Sequence, residues 1–286
     1  MNSSKFETYN MSRDDNLSIS FLYKTLPGRL LLTIIIRPVF SRFFGFLMSS
    51  GISKPFISVF VKKNNIDLNE YKDAKYSSFN DFFSREIKEE LRPIFPYAHD
   101  VIAPCDGKLT VYKVTDESIF EIKNSMYDLT GLLQDKKLAE DFSGGICLIF
   151  RLTPDDYHRY CYIDDGEVIS SKKIKGVLHT VRPIALGRYK IFAQNSREYA
   201  VLQTKNLGKV VQMEVGALFV GKIINNSEKE FLRGQERGMF EFGASTIIML
   251  FQRDKISVDD VIFENTRDNK ETVVKMGSRI GGVPSN

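Results

Sequence analysis

The chain has 286 residues, with 40 Lys and Arg, 36 Asp and Glu, and three Cys. This length allows a sizeable core without disulfides or metals. The net charge of +4 is mild, and the wide spacing of Cys105, Cys147 and Cys161 argues against both a disulfide framework and a structural zinc site. We predict no metal site, because the familiar ligand spacing of His158 and Cys161 is matched by no second pair.

The N-terminal region combines basic and apolar residues. From Asn16 to Asn64 there is no Asp or Glu, whereas Lys and Arg recur among Leu, Ile and Phe. Arg29, Arg37 and Pro38 interrupt the apolar run, which is therefore shorter than the roughly 20 residues that a membrane-spanning helix needs. We predict helices that lie at a membrane surface; a pair of buried amphipathic helices is the alternative. The apolar content is too high for a nucleic-acid-binding stripe, and we predict no nucleic-acid partner.

Helical patterns are confined largely to the first third of the chain. Residues 20–64 show two of them, broken around Pro27–Gly28 and at Pro38, because proline lacks the amide that a helix interior requires. A further short helix is expected over residues 78–91. We therefore assign residues 1–100 to a helical, membrane-associating region.

The pattern changes after residue 100 to short β-branched and aromatic runs separated by turn residues. One helical insert is expected over residues 127–139, where Leu recurs at near-helical spacing. The predicted strands are residues 108–114, 146–152, 209–215, 218–224 and 246–251. The sequence thus predicts an α+β fold, in which the helical region precedes a β-rich, mostly antiparallel domain over residues 101–286.

Two polar segments of this domain could carry chemistry. Asp106 stands beside Gly107 at the entry to a predicted strand, although an ordinary Asp-Gly turn is the simpler explanation. Residues 155–159 gather two acids, a phenol, an imidazole and a guanidinium on the loop that follows a predicted strand. A loop histidine beside carboxylates can carry protons near neutral pH, which makes His158 a candidate acid or base. A surface ion-pair cluster is the alternative.

Histidine is scarce, which narrows the choice of an imidazole. The chain has three, His99, His158 and His179. His99 lies in a polar stretch that is typical of a solvated turn. Any reaction that needs an imidazole therefore falls most naturally on His158 or His179.

The segment before Ser245 is unusual for its small residues. Gly243 and Ala244 leave the peptide bond before Ser245 unshielded. The Ser245 hydroxyl could attack the Ala244 carbonyl if the backbone were strained and a base were close. A strand that starts with a bulge glycine is the alternative.

Taken in order, these segments resemble the phosphatidylserine decarboxylase family. Any one of them could arise by chance, but the ordered set is specific and extends over nearly the whole chain. The segments that carry the resemblance are residues 26–30, 79–85, 92–94, 104–107, 156–159, 179–181, 215–217, 220–223 and 243–246.

The resemblance implies that the chain is a self-processing proenzyme. Ser245 would attack the carbonyl of Ala244, and the chain would divide there into a large β chain and a small α chain that stay associated as a heterodimer. Ser245 would become a pyruvoyl group, the cofactor of the family. Its ketone would form a Schiff base with the amine of phosphatidylserine and take up electrons as carbon dioxide leaves, which yields phosphatidylethanolamine.

The resemblance also implies roles for two other residues. Asp106 would belong to an Asp-His-Ser relay that activates Ser245, and His158 would return a proton to the carbon that loses carbon dioxide. No secretory signal follows Met1. We therefore expect a peripheral protein on the cytoplasmic side of the cell membrane.

The sequence departs from the family pattern at two positions. The family usually reads His-Arg-x-His, with the second histidine in the relay, whereas Cys161 stands there in this chain. A thiol is a poor substitute for an imidazole, so we hypothesise that His158 or His179 is the base for self-cleavage. Ala244 replaces the usual glycine, and its methyl group is expected to slow maturation.

Two other functions are compatible with parts of this pattern. One is a membrane-bound homologue that no longer matures and has a binding or scaffold role. The other is a soluble serine hydrolase that uses Ser245, His158 and Asp106. The hydrolase is the weaker alternative, because the chain lacks a Gly-x-Ser-x-Gly motif and a hydrolase has no need of a basic, Phe-rich anchor.

Overall fold

A computed structural model of the protein describes residues 6–10, 17–122, 125–186, 189–218, 222–243 and 245–284. The helices are α1 (Leu17–Lys24), α2 (Leu26–Ile35), α3 (Pro38–Ser49), α4 (Pro55–Asn64), α5 (Phe79–Phe83), α6 (Leu129–Leu133), α7 (Lys136–Glu140), α8 (Pro183–Leu186), α9 (Ile191–Gln194) and α10 (Asp260–Arg267). The strands are β1 (Thr8–Asn10), β2 (Asp100–Ile102), β3 (Gly107–Lys113), β4 (Ile119–Ile122), β5 (Ser125–Asp128), β6 (Ile146–Leu152), β7 (Arg159–Cys161), β8 (Gly166–Ile174), β9 (Arg197–Thr204), β10 (Lys209–Val215), β11 (Ile223–Asn225), β12 (Glu230–Phe231), β13 (Glu236–Phe240), β14 (Ser245–Phe251), β15 (Ser257–Val258), β16 (Lys270–Val274) and β17 (Arg279–Gly282). This mixture of helices and antiparallel strands confirms the predicted α+β class.

The N-terminal helices begin where prolines and caps permit. The predicted break at Pro27–Gly28 was misplaced, because Pro27 lies in the first turn of α2, where its missing amide leaves no hydrogen bond unmade. The boundary is at Thr25, whose Oγ1 accepts a hydrogen bond from the Gly28 amide at 3.1 Å. Pro38 begins α3, as the sequence predicts. The region 17–64 therefore contains α1 to α4 rather than two helices.

Within the described residues, nine strands form one antiparallel sheet in the order β1-β16-β3-β6-β14-β10-β9-β8-β12. Both of its faces are covered. Ile248 and Leu250 of β14 pack into a cluster that also contains residues of α1 and α2, which we name the α1/α2 core. Ile247 and Met249 pack into the cluster on the other face, which contains residues of α10 and which we name the α10 core. Successive side chains of a strand point to opposite faces, so β14 reads as one continuous apolar run.

Several predicted elements differ from the observed ones for identifiable reasons. The helix expected over residues 78–91 ends at Phe83, because Ile87 instead forms an isolated β-bridge with Tyr71. The helical insert is divided into α6 and α7 at Gln134, whose φ is 48°. Of the strand expected over residues 218–224, Ile223 and Ile224 lie in β11, whereas Leu218 and Lys222 lie in no strand. Residues 219–221 lie outside the described part of the chain.

The register of the central strands determines which residues meet at one end of the sheet. Lys108 of β3 pairs with Arg151 of β6, which pairs with Thr246 of β14, which in turn pairs with Val215 of β10. The neighbouring pair joins Ser245 to Leu152. The end of the sheet that carries Ser245 is therefore also the end where β3 begins and where β6 leads into the loop that carries His158.

A buried ion pair ties β6 to β16 across β3. The Nε and Nη2 atoms of Arg151 donate to the two carboxylate oxygens of Glu271 at 2.8 and 2.5 Å, and both side chains are buried. We expect Glu271→Gln to lower the free energy of unfolding by about 3 kcal/mol, because it leaves a buried guanidinium without its counter-charge. The shift of the urea unfolding midpoint measures this loss.

Two variants make the measurement specific to the pair. Replacing both partners, as Arg151→Met with Glu271→Leu, should recover most of the loss, because neither charge then remains buried. The neighbouring, exposed Lys270→Gln should change the free energy of unfolding by less than about 0.5 kcal/mol. An unchanged midpoint for Glu271→Gln would show that the pair contributes little.

Candidate active site

Ser245 is the first residue of β14 and is fully buried. Its Oγ has no hydrogen-bond partner among the described residues. A buried hydroxyl without a partner costs about 1–3 kcal/mol, so this position is unfavourable for stability. Two residues earlier, Gly243 has a φ of 145°, a backbone conformation that glycine adopts readily and L side chains rarely do. Ala244, the other residue of the predicted processing site, lies outside the described residues.

His158 lies on the loop between β6 and β7 and is buried. Its Nδ1 lies 2.8 Å from the Asp156 carbonyl oxygen. A carbonyl can only accept, so Nδ1 carries the proton and Nε2 is left as an acceptor. Within the described part of the chain, Nε2 has no hydrogen-bond partner. Burial, reinforced by the charge of Arg85, lowers the pKa of His158 to about 3. The imidazole is therefore neutral at physiological pH and has a lone pair available for a proton.

The surroundings of His158 tie it to the segment that leads into Ser245. The His158 carbonyl accepts a hydrogen bond from the Phe240 amide at 3.0 Å. The Phe83 ring packs against both His158, with centroids 4.1 Å apart, and Phe242, with centroids 5.3 Å apart. Alternation along β14 directs the Ser245 side chain to the face of Ile247. That face is the α10 core, which also contains Phe240.

His179 lies on the opposite face of the sheet. Its Nδ1 is 3.2 Å from the Tyr23 hydroxyl, and its ring stacks on Tyr189 with centroids 4.6 Å apart. Tyr23 belongs to the α1/α2 core, whereas Ser245 points toward the α10 core. Burial lowers the pKa of His179, so it too is neutral at pH 7. Of the two candidate bases, the arrangement favours His158.

Asp106 is held by three donors. Arg92 makes two hydrogen bonds to its carboxylate, at 2.8 and 2.7 Å, Lys275 donates at 3.1 Å and the Met276 amide at 2.9 Å. Burial alone would raise the pKa of Asp106, but these donors outweigh it and hold the pKa below its usual value. None of the hydrogen bonds between described residues joins Asp106 to a histidine. The predicted place of Asp106 in a relay stays a prediction.

A second buried ion pair supports the His158 loop. Lys108 Nζ lies 2.7 and 2.9 Å from the carboxylate oxygens of Asp156, which also accepts the Thr153 amide at 2.7 Å. This pair fixes the residue whose carbonyl orients His158. The sequence placed Asp156 in one segment with His158 but did not predict that Lys108 pairs with it. The sequence did contain a signal for this pair, because Lys108 stands at the start of a strand predicted to be buried, and a buried charge requires a partner.

Cys161 occupies the position where the family usually has a second histidine. It lies in β7, and its amide donates to the Pro104 carbonyl at 2.8 Å. Burial raises the pKa of its thiol to about 12. The thiol is therefore protonated at neutral pH and cannot act there as a base, which agrees with the sequence-based expectation.

Comparisons with known proteins agree on one family. The profile described as phosphatidylserine decarboxylase matches residues 79–282. A relative from Clostridium acetobutylicum named phosphatidylserine decarboxylase proenzyme 2 is 46% identical over 276 residues, which cover 96% of this chain and 95% of the relative. Proteins named phosphatidylserine decarboxylase proenzyme from Clostridium perfringens and Ruminiclostridium cellulolyticum are 40% and 39% identical; each match covers 92% of this chain, and 92% and 90% of the respective relative. Matches of this extent show that the chain belongs to the phosphatidylserine decarboxylase family.

Proposed function

We propose that this chain is a proenzyme that divides between Ala244 and Ser245 and then decarboxylates phosphatidylserine to phosphatidylethanolamine. Family membership supports the overall reaction. The observation that carries the proposal is the buried Ser245 Oγ, which has no hydrogen-bond partner among the described residues. Buried polar atoms without partners are rare in native structures and call for an explanation. A hydroxyl that is consumed during maturation is such an explanation.

In the cleavage step, His158 Nε2 accepts the Ser245 hydroxyl proton as Oγ bonds to the Ala244 carbonyl carbon. The peptide nitrogen leaves with a proton, so an ester replaces the amide. The Cα proton of residue 245 is then lost to water as the Ala244 carboxylate leaves from Cβ, which gives dehydroalanine at position 245. Addition of water and release of ammonia then leave a ketone at the new N-terminus, so that Ser245 has become a pyruvoyl group.

At position 245, a pyruvoyl group would supply a ketone for the substrate amine and a sink for the electron pair left by carbon dioxide. The residues around Ser245 fit this group, because the position is buried and its hydroxyl is committed to no other contact among the described residues. We assign to His158 the return of a proton to the decarboxylated carbon. Its Nδ1 is held by Asp156, so Nε2 is the atom that moves the proton.

The two chains produced by the cleavage would stay together as a heterodimer. The small chain would contribute β14, which lies between β6 and β10, and β16, which lies between β1 and β3. The contact between Asp106 and Lys275 would become a contact between chains. The cut therefore removes one peptide bond and leaves the hydrogen bonds of the sheet in place.

The test of this proposal is the intact mass of the purified protein. We expect two chains, residues 1–244 and 245–286, with a carbonyl at position 245 that reacts with hydroxylamine, and release of carbon dioxide from phosphatidylserine. Ser245→Ala should remain one chain and be inactive, because it lacks the attacking oxygen. An undivided native chain with an intact serine would instead favour the non-maturing homologue.

The base for cleavage can be identified by following chain division on a denaturing gel. We expect His158→Ala to slow division by about 100-fold or more, the usual contribution of a general base. His179→Ala should divide at nearly the native rate, because His179 lies on the other face of the sheet. The reverse result, with division lost only in His179→Ala, would contradict the assignment.

The pH dependence of the same assay provides a second test of His158. A base must be unprotonated, and a pKa of about 3 keeps His158 neutral throughout the range from pH 5.5 to 8. The rate of division should therefore be constant across this range. A rate that falls with a midpoint near pH 6.5, the ordinary value for histidine, would point to a solvated imidazole.

Asp106→Asn should slow division if Asp106 belongs to the relay.

We further propose that the N-terminal helices bind the cytoplasmic surface of the cell membrane, with the protein peripheral to it. The stretch from Asn16 to Asn64, which contains no Asp or Glu, carries many exposed apolar side chains; Phe46, for example, is 73% exposed. An apolar surface of this kind marks an interaction site. Among the described residues, no single helix is long and apolar enough to cross a membrane. The helices α2 and α3 together meet that length and composition, but with a bend of 71° between them.

An apolar cleft connects this surface to the segment before Ser245. Its volume is about 360 Å³, and it lies between α3, α4 and α5. Phe44 and Met48 line it from α3, and Phe242 lines it from the segment that ends at the processing site. We assign this cleft to an acyl chain of the lipid substrate.

The membrane assignment predicts that Phe46→Asn weakens binding to vesicles of anionic phospholipid. We expect at least about a tenfold loss in partitioning, because burial of one Phe side chain stabilises binding by roughly 1.5–3 kcal/mol. Leu232→Asn is a matched control, since Leu232 is 67% exposed and lies outside the N-terminal helices. Sedimentation with vesicles measures both variants. Equal binding of Phe46→Asn and the native protein would contradict the proposed surface.

A further inference from the structure

A basic cleft adjoins α3 near its N-terminus, whereas the apolar cleft adjoins the same helix nearer its C-terminus. It has a volume of about 320 Å³ and is bounded by the first turns of α3, the end of β8 and the residues around β10 and β11. Arg42 of α3, Lys173 and Lys175 at the end of β8, and Lys222 just before β11 line it. Glu198 also lines it and is paired with Lys173 at 2.9 Å. The remaining cations give the cleft a net positive charge, which suits an anionic ligand.

A buried hydroxyl also points to a ligand in this cleft. Ser41 lines the cleft and is 1% exposed, and its Oγ has no hydrogen-bond partner within the described residues. Ser41 lies in the first turn of α3, a helix of 12 residues whose N-cap residue, Arg37, provides no side-chain hydrogen bond. The N-terminus of a helix favours negative charge. The hydroxyl, the helix end and the cations therefore favour the same kind of ligand, a phosphate.

The basic cleft adjoins the strand that begins at Ser245. Gly216 lines it and directly follows Val215, which pairs with Thr246. Lys222 also lines it, and the Lys222 carbonyl accepts a hydrogen bond from the Glu241 amide at 3.0 Å. A phosphate bound there would lie beside the segment that carries the reacting group.

The helix α3 spans both clefts. Ser41 and Arg42 line the basic cleft, whereas Phe44 and Met48 line the apolar one. From Arg42 to Met48 the helix rises about 9 Å, at about 1.5 Å per residue. A ligand that carries a phosphate close to an apolar chain could therefore contact both clefts along one helix. A glycerophospholipid has this arrangement.

We propose that the basic cleft binds the phosphate of the phospholipid substrate through Ser41, Arg42, Lys175 and Lys222. This inference rests on the proposed decarboxylation of phosphatidylserine and assigns the part of the molecule that positions the lipid headgroup. Charge-assisted hydrogen bonds to phosphate are stronger than neutral ones. The cleft therefore contributes to substrate affinity and leaves the chemical step to the residues around position 245.

The test uses the divided, active protein with short-chain phosphatidylserine in neutral detergent micelles. We expect Arg42→Gln with Lys175→Gln to raise KM by about tenfold, the effect of losing roughly 1.4 kcal/mol of phosphate binding, with kcat nearly unchanged. Ser41→Ala should raise KM to a smaller extent. Lys205→Gln with Lys229→Gln is the matched control, because it removes the same charge from exposed lysines outside the cleft and should leave KM at the native value.

Soluble competitors distinguish a lipid phosphate from free phosphate. If glycerophosphoserine competes more strongly than inorganic phosphate, and Arg42→Gln with Lys175→Gln weakens that competition, the cleft binds the headgroup. Equal competition by both compounds would make it a site for free phosphate and overturn the proposal. If the native protein releases carbon dioxide but the double variant has an unchanged KM, the proposed phosphate site is also overturned. A native protein that divides but releases none would instead contradict the proposed function.

Discussion

The register of β14 is the constraint on which the rest of the site depends. Seven residues of β14 pair with β6, and six pair with β10. A slip by one residue would exchange the two faces of the strand. It would turn the Ser245 hydroxyl from the α10 core, which contains Phe240, to the α1/α2 core and toward the side of His179. Burial of β14 on both faces opposes such a slip, because each face presents a different set of side chains to its core.

At this end of the sheet, the buried carboxylates have partners of opposite charge, whereas some buried neutral groups have no hydrogen-bond partner among the described residues. Asp106, Asp156 and Glu271 are buried, and each is paired with Arg or Lys. A buried carboxylate without a partner would cost far more than a buried hydroxyl. Ser245 Oγ and His158 Nε2, by contrast, are neutral atoms that have no hydrogen-bond partner among the described residues, as is the neighbouring Thr246 Oγ1. The ion pairs hold the loops around Ser245 and His158. The fold can therefore tolerate buried neutral atoms without hydrogen bonds at the place where a proton would move.

The sequence was sufficient to predict several of the strands, but not the geometry around Ser245. Residues 146–152 and 209–215 were predicted correctly as strands, because a run of apolar and β-branched residues between turns has few alternatives. The choice between His158 and His179 could not be made, since it depends on which face of the sheet each loop covers. The contacts of Asp106 were also out of reach, because Lys275 lies 169 positions away in the chain. Such pairs arise from the topology rather than from local pattern.

The helix α3 connects the proposed membrane surface to the segment that leads into Ser245. Its outward residues, such as Phe46, are exposed, while Ser41 and Gly45 on its inner side are buried. Gly45 matters because its carbonyl accepts a hydrogen bond from Asn80 at 3.2 Å, and Asn80 Oδ1 accepts the Phe242 amide at 3.1 Å. This chain of contacts runs from a helix at the proposed membrane surface to a residue three positions before Ser245. A lipid that lies along α3 at the proposed membrane surface would therefore be linked by these contacts to the segment that leads into Ser245.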